Sequence, residues 1–201
     1  MLNICIIGKG SIGKKHGKIF KKLGHKVSFL RSPFKVSKKK ILLNSNEYNN
    51  YEDLKKFDFD LYVICNPTSL HLSAIKKIIK KKINIFIEKP LVSNLKDLNK
   101  IKRYYQKYNI NLFAGYVLRY DPRIIYIKNK IKKDLKKIKY ANFFLQTYMP
   151  SWHPKENYKT SYASQKILGG GVLLTCSHEI NLSIFLFGAA KEVFCTYTRS
   201  F

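Results

Sequence analysis

The stretch LNICIIGKGSIGKKHGKIFKKLG, residues 2–24, constrains the fold more than any other part of the chain. It opens with a continuous apolar run ending in glycine, the pattern of a strand buried on both faces. It closes with helical spacing (Ile12, His16, Ile19, Phe20, Leu23) and a stop at Gly24. Between the two stand Gly8, Gly10 and Gly13, spaced G-x-G-x-x-G. A strand that turns straight into a helix has to return its chain to a parallel neighbour, because the helix must cover the face of the sheet it leaves.

The residues that follow repeat the pattern. HKVSFLRS reads as a second strand and FDLYVICNP as a third, closed by Pro67. SLHLSAIKKIIKKK is a helix with Leu70, Ala74, Ile75, Ile78 and Ile79 on its buried side. INIFIEKP is a fourth strand, NLKDLNKIKRYYQKY a helix and INLFAGY a fifth strand. Strands alternating with helices predict a doubly wound parallel α/β sheet of the Rossmann type over residues 1–118. In such sheets ligands bind outside the carboxyl ends of the strands. Gly8, Arg31, Asn66, Glu88, Lys89 and Gly115 all fall at such ends.

The pattern changes over residues 119–201. DPRIIYIKNKIKK reads as a helix and IKYANFFLQTYM as a long alternating strand. The aromatic-rich PSWHPKENYKTSYAS follows, then GGGVLLTCSHEINLSIFLFG as a helix-length segment, and KEVFCTYTR as a last strand. Two strands and a helix leave a hydrophobic face uncovered, so this second α/β part reads as incomplete.

The charge is lopsided: 39 Lys and Arg against 12 Asp and Glu give a formal net charge of +27. Only five of the cations are arginines, and the lysines are spread over every segment. A nucleic-acid surface favours arginine for bidentate readout, so the charge reads as solvated faces that also attract anionic ligands. Cys5, Cys65, Cys176 and Cys195 show no C-x-x-C or metal-ligand spacing and read as small apolar residues of a reducing compartment. The first residues lack the basic region and cleavage site of a signal peptide. The longest uncharged apolar stretch is too short for a membrane span. A cytoplasmic protein with no membrane partner is expected.

The glycine turn carries the first chemistry. Gly8, Gly10, Ser11, Ile12 and Gly13 lie where a dinucleotide pyrophosphate meets a helix N-terminus. The second strand ends in Arg31 and Ser32 with no carboxylate beside them in sequence. A guanidinium and a hydroxyl suit a 2′-phosphate, so NADP is favoured over NAD. Asn66, Pro67, Thr68 and His71 form the loop after the third strand, where the nicotinamide end would lie. Glu88 and Lys89 leave the fourth strand beside the nicotinamide, where both are expected to contact the cofactor, and Pro90 stiffens the turn. An ammonium there can hold a substrate oxygen and stabilise developing alkoxide charge.

These motifs, with GYVLRYDP and GGGVLLTCSHEIN in the same order, resemble the Gfo/Idh/MocA family, the relatives of glucose–fructose oxidoreductase and inositol dehydrogenase. The resemblance runs over essentially all 201 residues. It implies a nicotinamide-dependent oxidoreductase acting on sugars, nucleotide sugars or cyclitols, with a Rossmann domain and a dihydrodipicolinate-reductase-like α/β substrate domain. It also implies a homo-oligomer where the second domain is complete. MPSWHPKENYKTSYA is similar to a branch associated with surface-sugar or nucleotide-sugar metabolism. By the same resemblance Lys89 orients substrate and His178 moves the hydroxyl proton, a task suited to a histidine near neutrality. Tyr116, Arg119, Trp152 and His153 become substrate-wall candidates.

Two departures stand out. Thr175 and Asn181 occupy positions where the family usually carries aspartate, which deprives His178 of an orienting carboxylate. Members also continue with further strands, so a truncated product or a fragment is expected. Two rival readings follow: a catalytically degenerate relative that only binds nucleotide, and a basic nucleic-acid-binding protein reusing the fold.

Overall fold

The computed structural model describes residues 1–31, 45–152, 154 and 157–198. The chain divides into two units, Met1–Gly115 with Met149–Thr175, and Tyr116–Tyr148 with Cys176–Phe201.

The first unit holds strands β1 (Asn3–Ile7), β2 (Lys26–Leu30), β3 (Glu47–Tyr48), β4 (Leu61–Ile64), β5 (Asn84–Ile87) and β6 (Leu112–Ala114). All pair in parallel, in the order β3-β2-β1-β4-β5-β6. Its long helices are α1 (Ser11–Lys22), α2 (His71–Ile78) and α3 (Leu95–Tyr108). The five strands and three helices expected from the first half are present. β3 is an addition: a two-residue edge strand too short to leave a periodic trace.

Side chains alternate along β1 and so feed two cores. Ile4 and Ile6 join Val27, Phe29 and Val63, with Phe20 of α1 packed on them. Cys5 and Ile7 face the other way, into a cluster that includes Ala74 and Ile75 of α2 and Ile101 of α3. Fully buried isoleucines on the central strands stabilise the sheet by roughly 2 kcal/mol each. The helix ends are written locally. The Asn94 side chain accepts the Asp97 N–H at the start of α3, and Asn109 ends that helix in the left-handed conformation.

Register sets the functional edge. Ile7 lies opposite Leu30 and Ile64, Ile64 opposite Ile87, and Ile87 opposite Ala114. The next residue in each strand therefore stands in one row. Gly8 N–H donates to Leu30 O, Cys65 N–H to Ile7 O, Glu88 N–H to Ile64 O and Gly115 N–H to Ile87 O. The order reverses between β1 and β4, which is where such sheets open a crevice.

The second unit holds helices α4 (Pro122–Asp134) and α7 (Ser177–Phe187). Asp121 caps α4 by accepting the Arg123 N–H, and Pro122 occupies its first position. Two expectations need correction here. The segments read as strands, 138–149 and 191–199, carry no strand pairing among the described residues. Phe144 is 79% exposed and Phe194 is 91% exposed. Alternation marks a capacity to pair, but a strand exists only where a neighbour supplies the other half of its hydrogen bonds. Short helices α5 (Met149–Trp152) and α6 (Val172–Thr175) belong to the first unit. The apolar segment expected as one helix breaks at Cys176, between α6 and α7. Among the described residues no single helix is long and apolar enough to cross a membrane.

Candidate functional site

The glycine turn is built by contact. Gly8 has φ of +102°, and a Cβ there would come within 2.6 Å of Asn66 N. A Cβ on Gly13 would lie 2.0 Å from Gly8 O. Both positions admit only glycine, the first for conformation and approach, the second for approach alone. Gly10 differs: nothing lies within 4 Å of its Cβ direction, so its face is open. α1 starts at Ser11 without a side-chain cap. Its first N–H groups and its positive dipole end thus remain available to an anion at this turn. Ile12, on the first turn of α1, is 43% exposed.

At the end of β2 the sequence showed a cation and no carboxylate, and the structure adds one. Glu47 of β3 accepts a hydrogen bond from Arg31 Nε at 2.7 Å and pairs with the Lys9 ammonium of the glycine turn. Burial raises the Glu47 carboxyl, but the hydrogen bonds and charges of Lys9 and Arg31 outweigh it and hold it below the ordinary carboxylate value. Glu47 was missed because the neighbours it finds are 16 and 38 residues away. The available signal was scarcity, since each of only 12 acidic residues in so basic a chain merits a search for its partner. Ser32 lies outside the described residues.

The loop after β4 is braced from within. His71, expected as a cofactor contact, is 1% exposed. Its Nε2 lies 3.0 Å from Asn66 O and its Nδ1 3.1 Å from Leu91 O. A ring closed off from solvent between two carbonyls ties this loop to the chain after Lys89 and has no face left for a ligand. Burial lowers the His71 pKa, against the opposing pull of the two carbonyls. The Asn66 Oδ1 is buried without a hydrogen-bond partner. Pro67 precedes the turn containing Thr68, whose buried hydroxyl meets the Tyr162 hydroxyl, while Tyr162 also donates to Gly169 O at 3.1 Å. A Cβ on Gly169 would lie 2.8 Å from Thr68 Cβ. The first glycine of the G-G-G run is therefore the seat of that run on the Asn66–Thr68 loop.

The turn after β5 carries Glu88 and Lys89. Lys89 Nζ donates to Thr175 O at 2.7 Å. One Glu88 oxygen meets His16 Nε2 of α1 at 2.7 Å, and the other accepts the Lys89 N–H at 3.2 Å. Thr175 contributes its carbonyl, and its Oγ1 is buried without a hydrogen-bond partner. Trp152 lies on α5 at the surface, and His153 is outside the described residues.

Within the second unit the remaining candidates form a group. Tyr116 meets His178 edge to face, with ring centroids 6.0 Å apart. Arg119 Nε donates to Asn181 Oδ1 at 2.7 Å, and its guanidinium lies 5.1 Å from the centre of the Phe185 ring. Asn181, where an aspartate was expected, thus anchors Arg119. The break at Cys176 separates Thr175 from the helix that carries His178 and Asn181, so the three do not share one continuous helix face.

A parallel sheet in this order, with a glycine turn at the point where the order reverses, defines a dinucleotide-binding Rossmann fold. A sequence model of the oxidoreductase family with an NAD-binding Rossmann fold, GFO_IDH_MocA, matches residues 2–116, and the chain belongs to that family. The chain is 26% identical over 194 residues to scyllo-inositol 2-dehydrogenase (NAD(+)) of Bacillus subtilis, covering 92% of this chain and 54% of that one. It is 24% identical over 136 residues to myo-inositol 2-dehydrogenase of Thermotoga maritima, covering 65% and 41%. It thus spans about half the length of the curated relatives it matches. Among solved structures it is similar in fold to the WlbA (WbpB) dehydrogenase of Thermus thermophilus, which was crystallised with NAD and UDP-GlcNAcA. There the TM-score is 0.69 at 20% identity, covering 96% of this chain and 65% of that one.

Proposed function

We propose that this protein is a nicotinamide-dependent oxidoreductase acting at a hydroxyl or carbonyl carbon of a sugar, nucleotide sugar or cyclitol. The observation that carries this reading is the row at the carboxyl edge of the sheet. There the glycine turn, Asn66 and the Glu88–Lys89 turn are brought into one line by strand register. The edge fits a dinucleotide: Gly10 leaves an open approach to backbone, and Asn66 Oδ1 is a buried acceptor in want of a donor. Gly8, Gly10, Ser11, Ile12 and Gly13 would hold the pyrophosphate, and Asn66, Pro67 and Thr68 the nicotinamide end. When bound, the cofactor supplies the site's hydride chemistry.

The chain's own residues do the rest. Lys89 holds the substrate oxygen and stabilises negative charge that develops there. Its ammonium rests on Thr175 O in this structure, so it is oriented before any substrate arrives. His178 takes or returns the hydroxyl proton. Its support is its place in the glycine-rich stretch and the Tyr116 ring that fixes its own. Arg119, held by Asn181, Tyr116, Trp152 and His153 are the candidates for reading the sugar. The reading takes residues 1–118 as the dinucleotide domain and residues 119–201 as part of the substrate domain. It places the protein in the cytoplasm, where thiols such as Cys5, Cys65 and Cys195 are at home. A homo-oligomer accords with the same reading.

On cofactor choice, the sequence alone leans to NADP through Arg31 and Ser32. Glu47 alters the balance, because its carboxylate engages Arg31 and Lys9 and opposes a phosphate dianion beside it. We therefore read NAD as preferred. The test is a fluorescence titration with NADH and NADPH, followed by oxidation assays on inositols and UDP-sugars. Saturable NADH binding with turnover of one class is expected, and no binding of either nucleotide would overturn the reading. Binding without turnover would favour the degenerate relative, a reading that rests on Thr175 and Asn181 in place of carboxylates.

A further inference from the structure

His16 has no part in the proposed hydride and proton chemistry. It lies on α1, one turn beyond Gly13, and its ring meets Phe86 edge to face with centroids 5.4 Å apart and stacks on Phe20 at 6.2 Å. Those contacts leave Nε2 aimed at Glu88 Oε1, 2.7 Å away, with both side chains 17% exposed. Glu88 is confined on its other sides. Its second oxygen accepts the Lys89 N–H, and a Cβ on Gly115 would come within 3.3 Å of its carboxyl carbon. Its charge also reaches the Cys65 thiol and the His71 ring. A carboxylate that grips the backbone N–H of the very next residue fixes where that residue departs, and Lys89 Nζ must then span to Thr175 O.

We propose that His16 is a positioning residue: by holding Glu88 it fixes the backbone at Lys89 and so the aim of the Lys89 ammonium. Nε2 donates to the carboxylate in the cationic form and in the neutral Nε2–H tautomer alike, so the hold does not depend on the ring's charge. The consequence is a mechanical link between α1, which starts at the glycine turn, and the lysine turn two strands away, made by one hydrogen bond between residues 72 positions apart. The proposal rests on the reading of Lys89 as the substrate-orienting group, but its physical content concerns Lys89 alone.

The test measures Lys89 directly in the full chain. Reductive methylation with formaldehyde and borohydride is followed by peptide mass spectrometry, and the Lys89 rate is divided by that of an exposed lysine such as Lys137. His16→Phe keeps the ring packing and removes the donor, while His16→Gln keeps a donor. Losing one charge-assisted hydrogen bond should speed Lys89 modification about threefold or more in the Phe variant, and the Gln variant should return toward wild type. Glu88→Ala should match His16→Phe, and the double variant should add nothing further, since both break the same contact. Equal Lys89 rates in wild type and His16→Phe, with matching circular dichroism, would overturn the proposal. So would a Gln variant as fast as Phe, or additive effects in the double variant. If His16→Phe does not fold, Glu88→Ala against wild type decides on the same criterion. NADH titration of the same samples reports separately on the oxidoreductase reading, which can fail while the Lys89 result stands.

Discussion

The Lys89 ammonium donates to the Thr175 backbone carbonyl at 2.7 Å, so the side chain of residue 175 is not what holds the lysine. A substitution at residue 175 therefore leaves the Lys89 hydrogen bond in place and tests the carboxylate alone. Thr175→Asp combined with Asn181→Asp should raise turnover on a substrate the wild type accepts by about tenfold or more, within the roughly 10⁴-fold that an orienting aspartate can contribute. Asp at 181 can still accept from Arg119. Steady-state rates at saturating cofactor check this, and a double variant with no gain would assign the weakness to other parts of the chain.

Lys89→Ala and His178→Ala should each lower kcat by roughly 100-fold or more, the usual contribution of a positioned proton-transfer or charge-stabilising group. NADH affinity should change by no more than a few-fold, because neither side chain belongs to the glycine turn. Parallel titrations and rate measurements separate the two effects. A His178→Ala enzyme with unaltered rate would remove that residue from the mechanism.

Glu47→Gln should shift the ratio of NADPH to NADH affinity toward NADPH by about tenfold, equivalent to ~1.4 kcal/mol. The substitution removes a negative charge next to two cations and frees Arg31 and Lys9 for a phosphate. Paired fluorescence titrations at low salt read this out, and the shift should shrink as added salt screens the phosphate.

Acid should weaken the first unit through His71 and Glu47 together. His71 has its folded pKa lowered, chiefly by burial, so the unfolded chain binds its proton first and stability falls as pH drops below about 6.5, the ordinary histidine value. Glu47 is also lowered, so its contribution is present above the ordinary carboxylate value near 4.3 and fades as pH falls below that. Urea melts from pH 7.5 to 5 should lose part of their slope in His71→Asn, and a slope identical to wild type would rule the histidine out.

Gly13→Ala should abolish nucleotide binding and lower the melting temperature, since its Cβ would lie 2.0 Å from a backbone oxygen. Gly10→Ala should fold as well as wild type, with its loss confined to nucleotide affinity.

How much of this was readable in the chain depended on range. The continuous runs of β1, β2, β4 and β5 were legible because both of their faces are largely covered. β6, an edge strand with Phe113 48% exposed, was legible only from its short apolar run. The glycine turn was legible because its spacing is local. β3 was not, since Glu47–Tyr48 is two residues long and sits at a sheet edge. The pairings of Glu47 with Arg31 and of His16 with Glu88 leave no spacing signature, because the fold brings together residues far apart in the chain. Residues 138–149 and 191–199 were over-read, because alternation in FFLQTYM and VFCTYT states only which face would be apolar.

Those two segments, which show no strand pairing among the described residues, also bear on how the protein behaves in bulk solution. Tyr140, Phe144, Phe194 and Tyr197 are all at least 79% exposed on backbone that carries no ladder among the described residues. Attraction between such surfaces is short-ranged, whereas the repulsion from a net charge of +27 reaches about 10 Å at 0.1 M salt and about 3 Å at 1 M. Raising the ionic strength should therefore bring the chain out of solution at a salt concentration where its sheet is still folded, and turbidity read beside circular dichroism checks this.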